Sequence, residues 1–390
     1  MRNNPAVEKI DENKEISFIR DCLRAYLYQD HAFLPTFTDL DWDKFYQLLI
    51  QHRLVGLFSV LSRSYPGLWQ NEIKERLRED RYRQLPYNDW RLRQVESILS
   101  ALHKLNIPII VLKGWALVQI VYGGDYSQRP SSDIDLLVRP CDITQVTEVL
   151  YSLNYRDFDL EPWPGYFRRF MNSCHYQSSQ TYAGSGLRFS IDLHWGIPDA
   201  PYYDRRIAVE PLFARSGLIN IADVEVNSLS TEDYLIYASV HMAHHGYSEI
   251  FSRYYEIAAL ILRSGQALNW KFVLTTASTW RVTIPLQRML TDIDRLWPGI
   301  IPANAHEAAQ QLKPSWGERF IDWCLTNSTR KEAIIIILSC LNTPGLFWRL
   351  RFFLETAFPG SAYLRHYFGP APGNIWPLLY VLRFRRFLQG

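Results

Sequence analysis

The sequence predicts an α+β fold: a small mixed β-sheet core flanked by largely helical N- and C-terminal regions. Three observations carry this. Apolar residues recur at helical spacing through most of the first hundred residues. After Asn106 the texture changes to short β-rich runs punctuated by glycine and proline. Past Pro198 the helical spacing returns. These shifts divide the 390 residues into a helical region at 1–100, a core at 101–200 and a mainly helical region at 201–390.

Residues 1–15 are polar, are expected to be loosely attached, and show no secretory signal. Ile16, Ile19, Leu23 and Leu27 predict a helix over 16–28, and Phe45, Leu48, Leu49, Leu54 and Leu57 another over 41–62. Amphipathic helices follow at 72–83 and 90–105. Pro108 ends the last of these, and Ile109, Ile110, Val111 and Leu112 read as a buried strand. A helix at 116–122, a turn at Gly123-Gly124-Asp125 and a strand at 134–138 come next. Asp142 or Thr144 can cap a helix through Tyr151. Two strands at 175–181 and 187–194 are joined through Ala183-Gly184-Ser185-Gly186. In the C-terminal region, Ser230 with Asp233 three residues on starts a helix that carries His241, His244 and His245. Further helices are expected at 254–263, 280–297, 305–312 and 316–326.

Composition narrows the function classes. A net charge of +2 argues against a nucleic-acid coat protein and gives no strong sign of DNA binding. Cys22, Cys141, Cys174, Cys324 and Cys340 have no CxxC spacing, so neither a disulfide framework nor a zinc site follows, and a reducing cytoplasm fits. The longest apolar run, 333–341, is too short to cross a bilayer. The aromatic share of 14% predicts a core dominated by large rings. The stretch from Trp348 to Arg386 is rich in arginine and aromatics and has three readings: a wrap over the helical core, a contact with an anionic acceptor, or peripheral membrane contact.

The chemistry concentrates around Leu112-Lys113-Gly114-Trp115 and Ser131-Ser132-Asp133-Ile134-Asp135-Leu136-Leu137-Val138. Residues two apart in a strand point to one face, so Asp133 and Asp135 aim at one spot while Ile134, Leu136 and Val138 face a core. Two carboxylates about 5 Å apart repel by roughly 3 kcal/mol at an effective dielectric of about 20. A divalent cation offsets that repulsion, and an all-oxygen ligand set favours Mg²⁺ or Mn²⁺. Gly114, between a strand and a helix, lets backbone approach a ligand, and N–H groups at a helix start favour phosphate oxygens. Asp192, in Ile191-Asp192-Leu193-His194-Trp195, supplies a third carboxylate for a second metal or a base. His175 and His194 flank these acids and can orient one of them. His241 and His245 are spaced i, i+4, but the glutamate of H-E-x-x-H is missing, so structural histidines are expected. Neither a P-loop nor a G-x-G-x-x-G motif occurs.

Leu112-Lys113-Gly114, the Asp133-Ile134-Asp135 strand and Ile191-Asp192-Leu193-His194-Trp195, in that order, resemble the nucleotidyltransferase superfamily of the DNA polymerase β type. The similarity is greatest to the bacterial group of uncharacterised nucleotidyltransferases and covers about residues 100–260. The resemblance implies that Asp133, Asp135 and Asp192 are catalytic and hold the metal. It implies nucleotide binding by Lys113, Gly114, Trp115, Arg129 and Ser132. The implied reaction is attack of an acceptor hydroxyl on the α-phosphate of an NTP, such as ATP, with release of pyrophosphate. The acceptor is a small molecule, sugar, peptide or protein. Lys113 and Arg129 either contact phosphates or are taken up in ion pairs with nearby acids. Trp115 departs from the pattern, because the wider superfamily has glycine or serine there. It keeps open a non-catalytic nucleotide-binding module. A toxin acting on tRNA or protein is the third reading.

Overall fold

The computed structural model describes residues 14–36, 39–157, 173–178, 188–197, 207–245, 247, 250–327, 337–338, 340–341, 345–358, 364 and 378–382. The expectations for residues 1–13 and for the 183–186 turn lie outside the described residues, as does most of the chain after 358.

Four helices open the chain: α1 (Lys14–Tyr28), α2 (Trp42–Gln51), α3 (Val55–Ser64) and α4 (Asn71–Lys104). Asp41 caps α2, its side chain accepting from the Lys44 N–H. The helix expected over 41–62 is two helices, because Arg53 takes a left-handed φ of +55° and turns the chain. The helices expected at 72–83 and 90–105 are one helix of 34 residues that continues through Pro86. Proline removes a helix hydrogen bond. Residues 82–86 are exposed, so water can satisfy the carbonyl left over. The rings do dominate this part of the core: Phe18 meets both Phe45 and Trp69 edge-on at 5.6 Å.

The sheet follows. Its strands are β1 (Ile109–Val111), β2 (Asp133–Val138), β3 (Tyr155–Asp157), β4 (Ser173–Ser178), β5 (Ser190–His194), β6 (Gly217–Ile221) and β7 (Val224–Ser228). Helix α5 (Trp115–Tyr122) connects β1 to the loop before β2, α6 (Ile143–Ser152) follows β2, and α7 (Val209–Arg215) precedes β6. The order across the sheet is β3-β4-β5-β2-β1-β7-β6. Strand β2 runs antiparallel to β1 and parallel to β5, which makes the sheet mixed as expected. The sheet extends past the boundary expected at residue 200, because the β6–β7 hairpin adds to β1. The sequence reading missed this hairpin. Its turn is Ala222-Asp223, both at positive φ, in place of a glycine-bearing signal.

Each face of the sheet is covered. Ile134, Leu136, Val138, Ile191 and Leu193 pack with Val95, Ile98 and Leu99 of α4 and with Val146 and Leu150 of α6. Ile110, Leu112 and Leu137 belong to a second core on the other face, shared by the N-terminal and the C-terminal helices. Those C-terminal helices are α8 (Thr231–His244), α9 (Phe251–Ser264), α10 (Trp270–Thr279), α11 (Thr283–Leu296), α12 (Ala303–Gln311), α13 (Trp316–Asn327) and α14 (Leu346–Ala357). Ser230 caps α8 as expected, accepting from the Asp233 N–H. In α14, Phe352 is buried while Leu346, Phe347, Leu350 and Phe353 are exposed. No helix among the described residues is long and apolar enough to cross a membrane.

Candidate active site

The site lies on the sheet face that meets the helical core. Asp133 and Asp135 share that face of β2, and the parallel register sets Asp135 directly beside Asp192 of β5. Adjacent residues in paired strands project to the same side, so the three acids converge from two strands. Their electrostatics agree. Burial raises the Asp133 pKa, and the charges of Asp135 and Asp192 raise it further, while a 2.9 Å hydrogen bond from the Ser131 hydroxyl opposes them.

Asp135 is compensated differently. Burial works against its charge, but Lys113 Nζ at 3.0 Å and His194 Nε2 at 3.2 Å hold its pKa down to about 2. An ionised carboxylate only accepts hydrogen bonds, so His194 Nε2 is the donor here. Both bonds fall on Oδ1. His194 thus orients a carboxylate, the role expected of a flanking histidine. For His175 the register places the backbone opposite Asp192, and its side chain lies outside the described residues.

The ligand-capable group that comes closest together is not the three-acid set. Asp135, Asp192 and His194 each offer one atom, and these atoms lie within 4.8 Å of one another. Asp133 stands beside that group. A divalent cation fits this donor set by chemistry, two carboxylates and an imidazole on one face. In this structure the Lys113 ammonium supplies the positive charge at Asp135.

The expected phosphate loop is built around Gly114. Its φ is +49°, and an added Cβ would sit 3.1 Å from Ser131 Oγ and 3.7 Å from Arg129 Nη1. The positive φ calls for glycine, and the tight approach of the Ser131 hydroxyl adds to it. Trp115 opens α5 with its ring in the core, where Nε1 donates to the Asp133 carbonyl at 2.8 Å and the ring packs on Tyr126 and Phe189. Its side chain is therefore a brace beneath β2 and does not obstruct the loop. Only its backbone remains to meet a nucleotide.

Arg129 is taken up in an ion pair. Its Nε donates to Glu256 of α9, which also accepts from the Tyr122 hydroxyl at 3.2 Å. Burial would lower the Arg129 pKa, but Glu256 raises it, so the cation is secured. Ser132 lines the same cleft, and its carbonyl accepts from the Ser190 N–H at 3.4 Å. Glu256 was not anticipated. Its signal was a single acid within the otherwise apolar run Tyr254-Tyr255-Glu256-Ile257-Ala258-Ala259.

Part of this set of residues, without Asp192 and His194, borders a cleft of about 710 Å³ between the ends of the central strands β1 and β2 and helices α2, α3, α4, α8 and α9. Lys113, Gly114, Arg129, Ser132, Asp133 and Asp135 all line it. Of the histidines at the end of α8, His241 and the C-cap His245 line it too. Burial, then Lys113 and His245, pulls the His241 pKa well below the usual histidine range.

Residues 38–298 match the family model described as uncharacterised nucleotidyltransferase. The chain belongs to this family. The match spans the sheet, both walls of the cleft and all three acids. Membership in a nucleotidyltransferase family implies an NTP substrate, and the carboxylate–histidine group fits a metal-dependent transferase. No curated protein matches the chain. No solved structure matches it either.

Proposed function

We propose that the protein is a polymerase-β-type nucleotidyltransferase. It uses Mg²⁺ or Mn²⁺ to move an NMP group from an NTP to an acceptor hydroxyl, with release of pyrophosphate. The observation that carries this reading is the side-by-side pairing of Asp135 and Asp192 next to the Gly114 loop.

Asp135 and Asp192 would hold the cation, with Asp133 adding charge beside them and His194 fixing the Asp135 carboxylate. When bound, a divalent cation neutralises charge on the phosphate oxygens and aligns the leaving group. The chain's own residues supply the rest. Lys113, now paired with Asp135, would be the side chain that contacts a phosphate oxygen. The Gly114 and Trp115 N–H groups, at the start of α5, face the phosphates with Ser132. Arg129, locked by Glu256, keeps its guanidinium beside Gly114. Asp192 takes the proton of the acceptor hydroxyl as its oxygen attacks the α-phosphorus.

Incubation with the four α-labelled NTPs, Mg²⁺ and candidate acceptors should transfer label and release pyrophosphate. Asp135→Asn and Asp192→Asn should each lower transfer by at least about 100-fold. Unchanged Mg²⁺-dependent NTP binding in both variants would show that these acids are not the metal site. One observation favours a second reading. The ammonium of Lys113 on Asp135 can stand in for a metal, as in a module that binds nucleotide without transferring it. NTP binding independent of Mg²⁺, with no pyrophosphate formed, identifies that case.

A further inference from the structure

The cleft holds a second group of charges away from the carboxylates. Arg53 follows α2, Arg81 and Arg91 belong to α4, and Arg253 lies in the first turn of α9; all four line the cleft. Arg91 donates to the Asn88 amide oxygen at 3.3 Å. Among the described residues Arg53, Arg81 and Arg253 make no close ion pair, although Asp125 feels the Arg81 charge and Arg253 that of Glu256. Arg81 Nε and Arg253 Nη1 are buried donors with no acceptor. The acids of the cleft are engaged elsewhere. Glu256 serves Arg129 and Tyr122, Asp135 serves Lys113 and His194, Asp133 accepts from Ser131, and Asp80 lies 3.7 Å from Arg83.

The fold holds two of these arginines together. The Phe251 N–H donates to His52 Nδ1 at 3.5 Å, and the two rings meet edge-on at 4.9 Å. This contact fastens the end of α2 to the start of α9 and brings Arg53 up to Arg253. Burial lowers the Arg253 pKa and the Arg53 charge lowers it further, against a smaller opposing pull from Glu256, so the two guanidiniums feel each other. Arg53 also stands at φ +55°, where glycine is cheaper by about 1 kcal/mol. A strained backbone position and a pair of like charges, of which Glu256 offsets only part at Arg253, coincide at one wall. An oxyanion relieves the repulsion and satisfies the orphan donor.

We propose that Arg53 and Arg253 form an oxyanion subsite for the acceptor, so that the compound receiving the nucleotidyl group carries a phosphate. This rests on the nucleotidyl-transfer reading. Two guanidinium forks match the several oxygens and the double charge of a phosphate monoester. The cleft volume of about 710 Å³ is that of a small-ligand site, so the acceptor is a small phosphorylated hydroxyl compound or the phosphorylated end of a longer one. Its hydroxyl oxygen bonds to the α-phosphorus as the α–β anhydride bond breaks. Pyrophosphate leaves with the electron pair, and the hydroxyl proton passes to Asp192. The phosphate on the arginines is unchanged and serves to dock the acceptor.

The test is calorimetric titration of inorganic phosphate into the full chain, alone and with saturating Mg²⁺ and a non-hydrolysable NTP analogue. Wild type should bind phosphate in both cases. Arg53→Gln and Arg253→Gln should each weaken it at least tenfold while changing analogue affinity less than threefold. Arg253→Lys, which keeps the charge, should recover part of the binding, and Arg78→Gln on the exposed side of α4 should change nothing. Absence of phosphate binding, or binding indifferent to both variants, overturns the subsite. Competition between phosphate and the analogue overturns the acceptor assignment, because the arginines then hold the donor's own phosphates. Phosphate bound at these arginines by a protein that binds no Mg²⁺–NTP supports the subsite and overturns the nucleotidyl-transfer reading.

Discussion

Replacing Asp135 by Asn removes the charge that both Lys113 and His194 face. Asp135 is 4% exposed and Lys113 22%, so the bereft ammonium is only partly reached by water from the cleft. Breaking a buried pair by removing one partner costs about 3 kcal/mol. Chemical denaturation of Asp135→Asn should show a loss of that size, and Lys113→Met combined with it should recover part. Gly114→Ala tests the loop. A Cβ there meets Ser131 Oγ at 3.1 Å and a φ of +49° is forced on alanine, so a loss of about 1–2 kcal/mol is expected, with weakened NTP binding in a Mg²⁺ thermal-shift assay. At this scale the sequence disclosed the acids, because alternation with Ile134, Leu136 and Leu193 marks them as strand residues on one face. It did not disclose their partners. That Lys113 reaches Asp135 and Arg129 reaches Glu256, 127 positions away, depends on the packing of α9 against the core.

Among the elements, the β6–β7 hairpin was hidden by its turn. Ala222 and Asp223 sit at φ of +51° and +60°, a left-handed region that costs alanine about 1 kcal/mol and that glycine and asparagine occupy most readily. Ala222→Asn with Asp223→Gly should therefore stabilise the protein by about 1–2 kcal/mol, read as a higher denaturation midpoint at unchanged slope. An unchanged midpoint would show that this strain is already absorbed by neighbouring contacts. Helix α4 escaped recognition as one element for the opposite reason: Pro86 reads locally as a break, but packing at both ends of the helix carries the chain through it. Leu77 on one side of Pro86 joins the helical core, and Val95, Ile98 and Leu99 on the other join the core under the sheet. Local signals gave each element's type wherever periodicity was long. They failed where tertiary packing outweighed a turn residue.

Across the whole molecule, two cores meet at the sheet, and this sets both a pH response and a limit on dissection. His241 lines the cleft near Lys113 and Arg253, with His244 on its own helix and His245 capping it, and its folded pKa lies well below 6.5. The unfolded chain takes up a proton near pH 6.5 that the folded chain refuses. Stability should therefore fall as pH drops below about 6.5, by at most about 1.4 kcal/mol per unit from this residue, and stop falling once the folded pKa is passed. His241→Gln should flatten that part of the profile in denaturation measured at pH 7 and pH 5; an identical slope in the variant would assign the response to other groups. The limit on dissection follows from which residues cover the sheet. The face bearing the acids buries Leu112, Leu117, Val121 and Leu137 in the core that the N-terminal helices share with those after residue 230. The Glu256 carboxylate and the two Arg263 bonds to the Ile120 and Val121 carbonyls fasten α5 and the Arg129 loop to α9. A fragment of residues 101–228 keeps every strand yet exposes this face and strands Arg129 without its acid. It should unfold without a cooperative transition in urea and give poorly dispersed amide resonances. Adding back residues 14–100 and 229–327 should restore both, because only together do they close the second core. A cooperative, well-dispersed 101–228 fragment would mean that the sheet is an independent domain and that the flanking helices shape the cleft without holding the fold.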